Sequence, residues 1–289
     1  TIRRGQEADR FSDVDFRPIC MGHASHELPR MIEACRTFRP TVFHHFSRPL
    51  ITALEDLDRR GEIDLKDAFK SIRGAPFGGE PPAPKVIELV RSWGIELYDY
   101  TTLGDVCSAM ECQQHDGMHA WEDLALVECL APDSDEEVPE GTPGELTVTS
   151  LQDEIAPLIR FRSADLITLT REPCGCGRTH VRIKVLGRVG DQVVVNGRSI
   201  MPKDIMPIID RVPEVAGGLF QIVRPRRELN ELRLRVGVKD GSGPTGPIAD
   251  RIVDLVRSEL GVPATAETWR FSDMLRLGPP HKIPRVTEQ

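Results

Sequence analysis

The sequence lacks the long apolar segments that membrane-spanning proteins need. Its 289 residues contain no hydrophobic run as long as a transmembrane helix, and residues 1–4 carry none of the apolar core of a signal peptide. An excess of basic charge is also missing, because the formal net charge is −8. General affinity for nucleic acid or for anionic membranes is therefore not expected. The chain has no initiator Met either, so we expect it to begin inside a longer product.

A disulfide framework is a further absence. The seven cysteines are odd in number, and two of them form the pair Cys174-Gly175-Cys176. This usage favours a reducing compartment, which predicts a cytoplasmic protein with a metal site rather than disulfide bonds. The apolar fraction of 39% is typical of a globular protein, and the length allows one large or two ordinary domains.

The first hundred residues alternate between strand and helix patterns. Helical spacing of apolar residues predicts helices over 26–38, 50–57 and 84–93, and short apolar runs predict strands over 16–20, 41–43, 72–77 and 95–100. Such alternation is typical of a parallel or mixed α/β sheet. His44 and His45 follow the second of these strands, and both are compatible with an ordinary loop or core position.

The later residues predict two further units. Runs over 124–130 and 144–149 predict antiparallel strands around an acidic turn. From residue 192 onward the pattern predicts an α+β unit, with strands at 192–196, 218–224, 231–238 and 267–271 and helices at 202–211 and 246–260. Gly261 is expected to end the second helix.

The stretch from 157 to 204 combines three local motifs. P-L-I-R-F-R-S-A-D-L places Asp165 after Arg160 and Arg162, C-G-C-G-R-T follows, and G-R-V-G-D precedes a short apolar run. A carboxylate beside arginines is suited to binding sugar hydroxyls while the cations face phosphates. An ordinary strand-turn-strand with solvated arginines explains the same residues, and the residues alone favour it.

These blocks resemble the phenylacetate–coenzyme A ligase family of adenylate-forming enzymes, which has P-L-I-R-Y-R-x-x-D-L, C-x-C-G-R-T and L-G-R-x-D-D in the same order. The resemblance extends from about residue 39 to 286. It implies an α/β fold in which 1–186 form the latter part of the large domain, with a mixed sheet over 1–106 and a small β-region over 107–186. Residues 187–289 would form a small, mobile α+β C-terminal lid domain.

The resemblance also implies an activity and a set of site residues. The family activates an aryl or arylacetic carboxylic acid with ATP as an acyl-adenylate and transfers the acyl group to coenzyme A. ATP/AMP, Mg²⁺ and coenzyme A are the implied cofactors, and a homodimer is a further expectation. The implied residues are Lys282 for catalysis; Gly78, Gly79, Glu80, Pro81, Asp99, Asp165 and Arg188 for nucleotide; Asp105 for magnesium; and Gly190 and Asp191 for the hinge.

Several positions depart from the family pattern. Thr101 replaces an aromatic residue that stacks on adenine, and Asp105 replaces a glutamate that binds magnesium. No segment resembles the phosphate loop S-x-G-T-T-G. Two alternatives to a coenzyme A ligase therefore stay open, which are an adenylate former with another acceptor and a non-catalytic nucleotide- or acyl-binding remnant.

Four soft ligands suggest a structural zinc site. Cys112 and His119 belong to E-C-x-x-x-D-G-x-H-x-W-E-D, a block that the family shares, while Cys174 and Cys176 form the Cys-x-Cys pair. Three thiolates and one imidazole are a common tetrahedral zinc set. The spacing is not that of a zinc finger, so buried free cysteines remain the alternative, and His115 is the rival imidazole.

Overall fold

The computed structural model describes residues 27–288, except 45, 79–81, 105, 227, 240, 244, 275 and 278–282, and leaves the side chains of 49, 216 and 217 undescribed. The predicted strand at 16–20 lies outside these residues. Four helices precede or flank the first strands: α1 (Leu28–Phe38), α2 (Arg48–Arg59), α3 (Leu65–Ala68) and α4 (Pro84–Ser92). Their apolar faces share one core, in which Phe46, Leu54 and Trp93 are fully buried.

Residues 74–188 contain an eight-stranded mixed sheet. Its order is β1-β2-β3-β4-β8-β7-β6-β5. Strands β1 and β2 are parallel and every other neighbouring pair is antiparallel. The strands are β1 (Gly74–Gly78), β2 (Glu96–Leu103), β3 (Cys107–Glu111), β4 (Met118–Ala120), β5 (Ala125–Leu130), β6 (Gly144–Ser150), β7 (Phe161–Thr170) and β8 (Arg182–Arg188).

The residues after β8 form an α+β unit with its own core. A 3-10 turn (Val189–Asp191) leads into a three-stranded sheet, β10-β9-β12, and a four-stranded sheet, β14-β13-β11-β15. Buried Ile205, Ile252 and Phe220 contribute to one core cluster from the two longer helices and β11. The elements are β9 (Val193–Val195), β10 (Arg198–Ile200), α5 (Pro202–Asp210), β11 (Val215–Val223), β12 (Glu228–Leu229), β13 (Leu232–Val238), α6 (Gly246–Leu260), β14 (Ala264–Arg270), α7 (Phe271–Met274) and β15 (Val286–Thr287).

This architecture confirms the predicted α/β class, with a mixed sheet followed by a small α+β unit. Gly261 ends α6 with a left-handed backbone (φ 63°), as the sequence predicts. Within the described ranges, no helix combines the length and the apolar character that crossing a bilayer requires. The expectation of a buried strand over 41–43 was wrong. Val42 makes one isolated parallel bridge to Gly74 and is 59% exposed, because this segment lies at the outer edge of β1.

An acidic turn between β5 and β6 is held by arginine. Arg162 donates to the backbone oxygens of Ala131, Pro132 and Ser134, and its Nε donates to Glu145 at 2.8 Å. Gly144 begins β6 inside this turn. A Cβ there would lie 2.7 Å from Cys129 Sγ and 2.7 Å from the Leu130 backbone oxygen. The close approach of β5 to β6 therefore depends on the missing side chain.

We predict that Gly144→Ala lowers the free energy of unfolding by roughly 1–3 kcal/mol, because the added methyl forces β5 and β6 apart. Urea unfolding followed by circular dichroism measures the change. Gly190→Ala is the matched control, since a Cβ at Gly190 would meet no described atom within 4 Å. Equal stability of the two variants would contradict the tight packing at Gly144.

Candidate functional site

Two distant pairs of soft ligands meet beside the centre of the large sheet. Cys112 follows β3, His119 lies within β4, and Cys174 and Cys176 lie in the loop between β7 and β8. The loop reaches the other pair because β4 pairs with β8, with His119 opposite Arg182. All four ligand atoms lie within 4.8 Å of one another. The structure thus brings together the four residues that the sequence suggests as a set.

The spacing of these atoms fits a tetrahedral metal. Cys112 Sγ lies 3.7 Å from Cys174 Sγ, and Cys176 Sγ lies 3.4 Å from His119 Nε2. Zinc–sulfur bonds of about 2.3 Å would place two thiolates of a tetrahedron about 3.8 Å apart. Four protein ligands fill a tetrahedral shell, so the arrangement suits a structural metal and not one that activates water.

The protein orients the imidazole of His119 for binding a metal. His119 is 1% exposed, and its Nδ1 donates to the backbone oxygen of His180 at 3.0 Å. This hydrogen bond leaves Nε2 facing Cys176. Burial lowers the pKa of His119, which favours the neutral ring that ligates metals.

The cysteines differ in their readiness to ionise. The backbone N–H of Arg178 lowers the pKa of Cys176, whereas burial raises the pKa of Cys112. A metal cation would compensate the burial of the Cys112 thiolate, because the coordinating thiol loses its proton.

Arg182 joins the two ligand-bearing loops. It is 5% exposed, and it donates to the backbone oxygen of Asp116 at 2.8 Å and to that of Glu172 at 3.3 Å. Its guanidinium also contacts the Asp116 carboxylate. No sequence signal pointed to this arginine, because its role depends on the pairing of β4 with β8.

The rival imidazole lies elsewhere. His115 Nδ1 is 3.0 Å from a Glu111 carboxylate oxygen, and its Nε2 is 3.1 Å from a Glu96 carboxylate oxygen. The ring also stacks on Tyr98 with centroids 5.2 Å apart. His115 is therefore a partner of two carboxylates, and His119 completes the soft-ligand cluster.

Two of the expected nucleotide contacts lie on the two parallel strands, β1 and β2. Gly78 ends β1, and Asp99 lies on β2 opposite Phe77. Ligands of α/β sheets bind outside the carboxyl ends of such strands. The other expected residues in this group lie outside the described residues: Gly79, Glu80, Pro81, Asp105 and Lys282.

Asp99 has an unusual environment for a carboxylate. Burial, and then the nearby charge of Glu111, raise the pKa of Asp99 to about 7. Glu111 accepts from the Asp99 backbone N–H at 3.0 Å, and Asp99 Oδ1 accepts from the Tyr100 backbone N–H at 2.9 Å. A carboxyl group that is partly protonated near neutral pH can both donate and accept, as purine edges require.

Asp165 and Arg188 face each other on neighbouring strands. They pair across β7 and β8, with Arg188 Nη1 3.1 Å from Asp165 Oδ1. Arg160 and Arg162 precede Asp165 in the same motif, and each forms an ion pair with a glutamate. Arg160 pairs with Glu128 at 3.1 Å, and Arg162 pairs with Glu145 at 2.8 Å, because both point toward the acidic turn.

The expected hinge residues lie in the 3-10 turn after β8. Gly190 and Asp191 belong to this turn, and Gly187 just before it has a φ of 140°, which favours glycine. Arg224 Nη1 donates to the backbone oxygens of Gly190 and Gln192, each at 2.8 Å. No sequence motif pointed to this arginine, because its two partners lie 34 and 32 positions away in sequence.

Comparisons with known proteins give two kinds of likeness. No family model matches the chain. The phenylacetate-coenzyme A ligase of Thermus thermophilus is 32% identical over 217 residues, which are 73% of this chain and 48% of that protein. The chain spans about half the length of the curated relatives it matches.

Solved structures extend the likeness to nearly all of the chain. A crystal structure of 2-hydroxyisobutyryl-CoA ligase in the postadenylation state, in complex with R3-HIB-AMP, has a TM-score of 0.75 and 25% identity, covering 92% of this chain and 58% of that one. An open conformation of the same ligase, with 2-HIB-AMP and CoA, has a TM-score of 0.58 and 25% identity, covering 98% and 62%. The fold is therefore that of these adenylate-forming ligases.

We predict that Asp99→Asn stabilises the protein more at pH 8 than at pH 5. The folded pKa of about 7 exceeds the ordinary 3.8, so the buried charge costs stability as pH rises from about 4 to 7. The penalty is about 4 kcal/mol at pH 8 and about 2 kcal/mol at pH 5. Denaturant unfolding at both values measures the gain, with exposed Asp133→Asn as control. A gain that does not grow with pH would contradict the raised pKa.

Proposed function

Because the chain is a homologue of the phenylacetate–coenzyme A ligases over about 70% of its length, we propose that it is the C-terminal part of an adenylate-forming acid–thiol ligase. The reaction is ATP-dependent activation of an aryl or arylacetic carboxylic acid as an acyl-adenylate, followed by transfer to coenzyme A. The 32% identity to such a ligase over 217 residues is the observation that carries the proposal. The partners would be the acid, ATP with Mg²⁺, and coenzyme A.

The described residues supply several nucleotide contacts in this proposal. Gly78 has no side chain that would keep a purine away from the end of β1, and Asp99 would exchange hydrogen bonds with the purine edge. Asp165 would accept hydrogen bonds from ribose hydroxyls, as the acidic residue of many nucleotide sites does. Arg188 now pairs with Asp165, and on nucleotide binding part of its guanidinium would instead bind the phosphate oxygens.

The tail that carries Lys282 supports a role in adenylation. Ile283 is buried, and Gln221 Nε2 donates to the Pro284 backbone oxygen at 2.8 Å. Arg285 donates to the backbone oxygens of Gly218 and Phe220 and lies over the Phe220 ring. This anchoring ties the residues after Lys282 to β11, so the lysine would travel with the C-terminal unit toward the carboxylate and the α-phosphate.

We assign the boundary between two bodies to residues 187–191, with 1–186 and 187–289 as the parts that turn relative to each other. The glycine at φ 140° and the solvent-exposed turn after β8 support a pivot here. The chain also matches the postadenylation form of 2-hydroxyisobutyryl-CoA ligase better than the open form of the same enzyme, with TM-scores of 0.75 and 0.58.

A non-catalytic remnant is the second candidate. Thr101 favours it, because the strand position that would offer an aromatic ring to adenine carries only a hydroxyl and a methyl group. We also propose a cytoplasmic location, since the six described cysteines are all free. A homodimer stays a prediction that sedimentation can test.

We predict that Lys282→Ala slows acyl-adenylate formation by about 10²-fold or more in the complete gene product, the scale of losing one charge-stabilising donor. Thioester formation from preformed acyl-adenylate should change much less, because the lid would have turned by then. Lys203→Ala on α5 is the control. Equal losses in both half-reactions would remove Lys282 from the adenylation step, and a wild-type product without acid-dependent adenylation would favour the remnant.

We further propose that the soft-ligand cluster binds one structural zinc ion. His119→Asn should lose it, whereas His115→Asn should keep it, because only His119 faces the thiolates. The left-handed backbone of His115 (φ 49°) accepts asparagine easily. Elemental analysis of the purified variants measures the zinc content. Cys174→Ser should also lower the melting temperature, because metal binding is coupled to folding. Wild-type protein without stoichiometric zinc would refute the site.

A further inference from the structure

The helix that follows the Gly78 end of β1 has no cap of its own. Helix α4 begins with Pro84 as its first residue, after Ala83, whose side chain cannot accept a hydrogen bond, and its first turn contains no acidic residue. The cap comes instead from the C-terminal unit. Asp210 Oδ2 accepts from the Lys85 backbone N–H at 3.0 Å, across 125 residues of sequence.

The position of Asp210 is unfavourable for its own helix. It is the last residue of α5, where a negative charge opposes the helix dipole. At the N-terminus of α4 the same charge is favourable, and the carboxylate satisfies one of the free N–H groups. The location of this aspartate is therefore explained by α4 and not by α5.

A second contact crosses the same boundary. Lys239 Nζ lies 2.6 Å from Glu55 Oε1, and each of these side chains is about one quarter exposed. In addition, Met206 packs against the cores of both units. Gly218 permits this approach, since a Cβ there would lie 3.0 Å from Met206 Sδ and 3.5 Å from Ala83 Cβ.

We propose that Asp210 is a positioning residue that couples the orientation of the C-terminal unit to the start of α4, with the Lys239–Glu55 pair holding that orientation. The inference rests on the proposed function, because the β1–α4 connection carries the expected nucleotide contacts. Rotation of residues 187–288 would withdraw Asp210 and uncap α4. In one orientation the C-terminal unit thereby stabilises the start of α4, next to the expected nucleotide contacts. In another orientation this stabilisation is lost.

Hydrogen exchange of the chain as it stands tests the contact. In Asp210→Ala, exchange of the Lys85 amide and its neighbours in the first turn of α4 should rise about fivefold, the effect of losing one helix cap. Asp210→Asn keeps an acceptor and should give a smaller rise. Glu259→Lys is the matched control, because Glu259 pairs with Arg211 inside the C-terminal unit at 3.0 Å. A rise no larger than in this control would overturn the proposal.

Reversing the charges of the Lys239–Glu55 pair tests the second contact. Glu55→Lys and Lys239→Glu, each alone, place like charges together and should raise amide hydrogen exchange at the start of α4, as Asp210→Ala does. The double variant restores opposite charges and should recover most of the protection. Equal rates of amide hydrogen exchange at α4 in the single and double variants would show that the pair does not hold the orientation of the C-terminal unit.

The half-reactions of the complete gene product test the consequence. Asp210→Ala should slow adenylate formation and raise the KM for ATP, while thioester formation from preformed adenylate keeps its rate. Equal losses in both steps would indicate a general loss of structure and would overturn the coupling. If the wild-type product makes no adenylate, the proposed function falls, whereas the exchange measurements still decide whether Asp210 caps α4.

Discussion

The pairing of β4 with β8 is the contact on which the large sheet depends. It joins β1-β2-β3-β4 to β8-β7-β6-β5, and its register consists of two residue pairs, Met118 with Ile183 and His119 with Arg182. So short a pairing needs support from side chains. Arg182 supplies it by binding the loops at Asp116 and Glu172, and Glu122 accepts from the Val181 backbone N–H at 2.7 Å. The soft-ligand cluster lies at the same junction, so a bound metal would stabilise the sheet where its hydrogen bonding is least extensive.

The expected nucleotide contacts and the contacts of the C-terminal unit both lie on or beside this sheet. The described residues among the expected nucleotide contacts lie at the end of β1, within β2 and where β7 and β8 pair, at Gly78, Asp99, Asp165 and Arg188. The C-terminal unit contacts helices α4 and α2, because Asp210 binds the Lys85 backbone N–H and Lys239 pairs with Glu55. The proposed reaction, whose steps need different lid positions, is compatible with a large sheet followed by an α+β unit that has its own core.

Local elements could be predicted from sequence because their signals are local. The apolar spacing of α6 and the glycine after it predicted both its length and its end. The choice between His115 and His119 could not be made from spacing alone. It depends on the pairing of β4 with β8, which places His119 opposite Arg182, a residue distant in sequence. The roles of Arg182 and Asp210 could not be predicted for the same reason, because their partners are distant in sequence. The apolar run at 41–43 resembles a buried strand, yet Val42 is exposed at a sheet edge.

We propose that this fold serves acyl-adenylate formation. The most direct test of this proposal is acid-dependent exchange of labelled pyrophosphate into ATP by the complete gene product, since this exchange requires reversible adenylation and no coenzyme A. We expect exchange with phenylacetate or a related aryl acid, in the presence of Mg²⁺, and none without acid. Nucleotide binding without exchange for any aryl or arylacetic acid would contradict the claim.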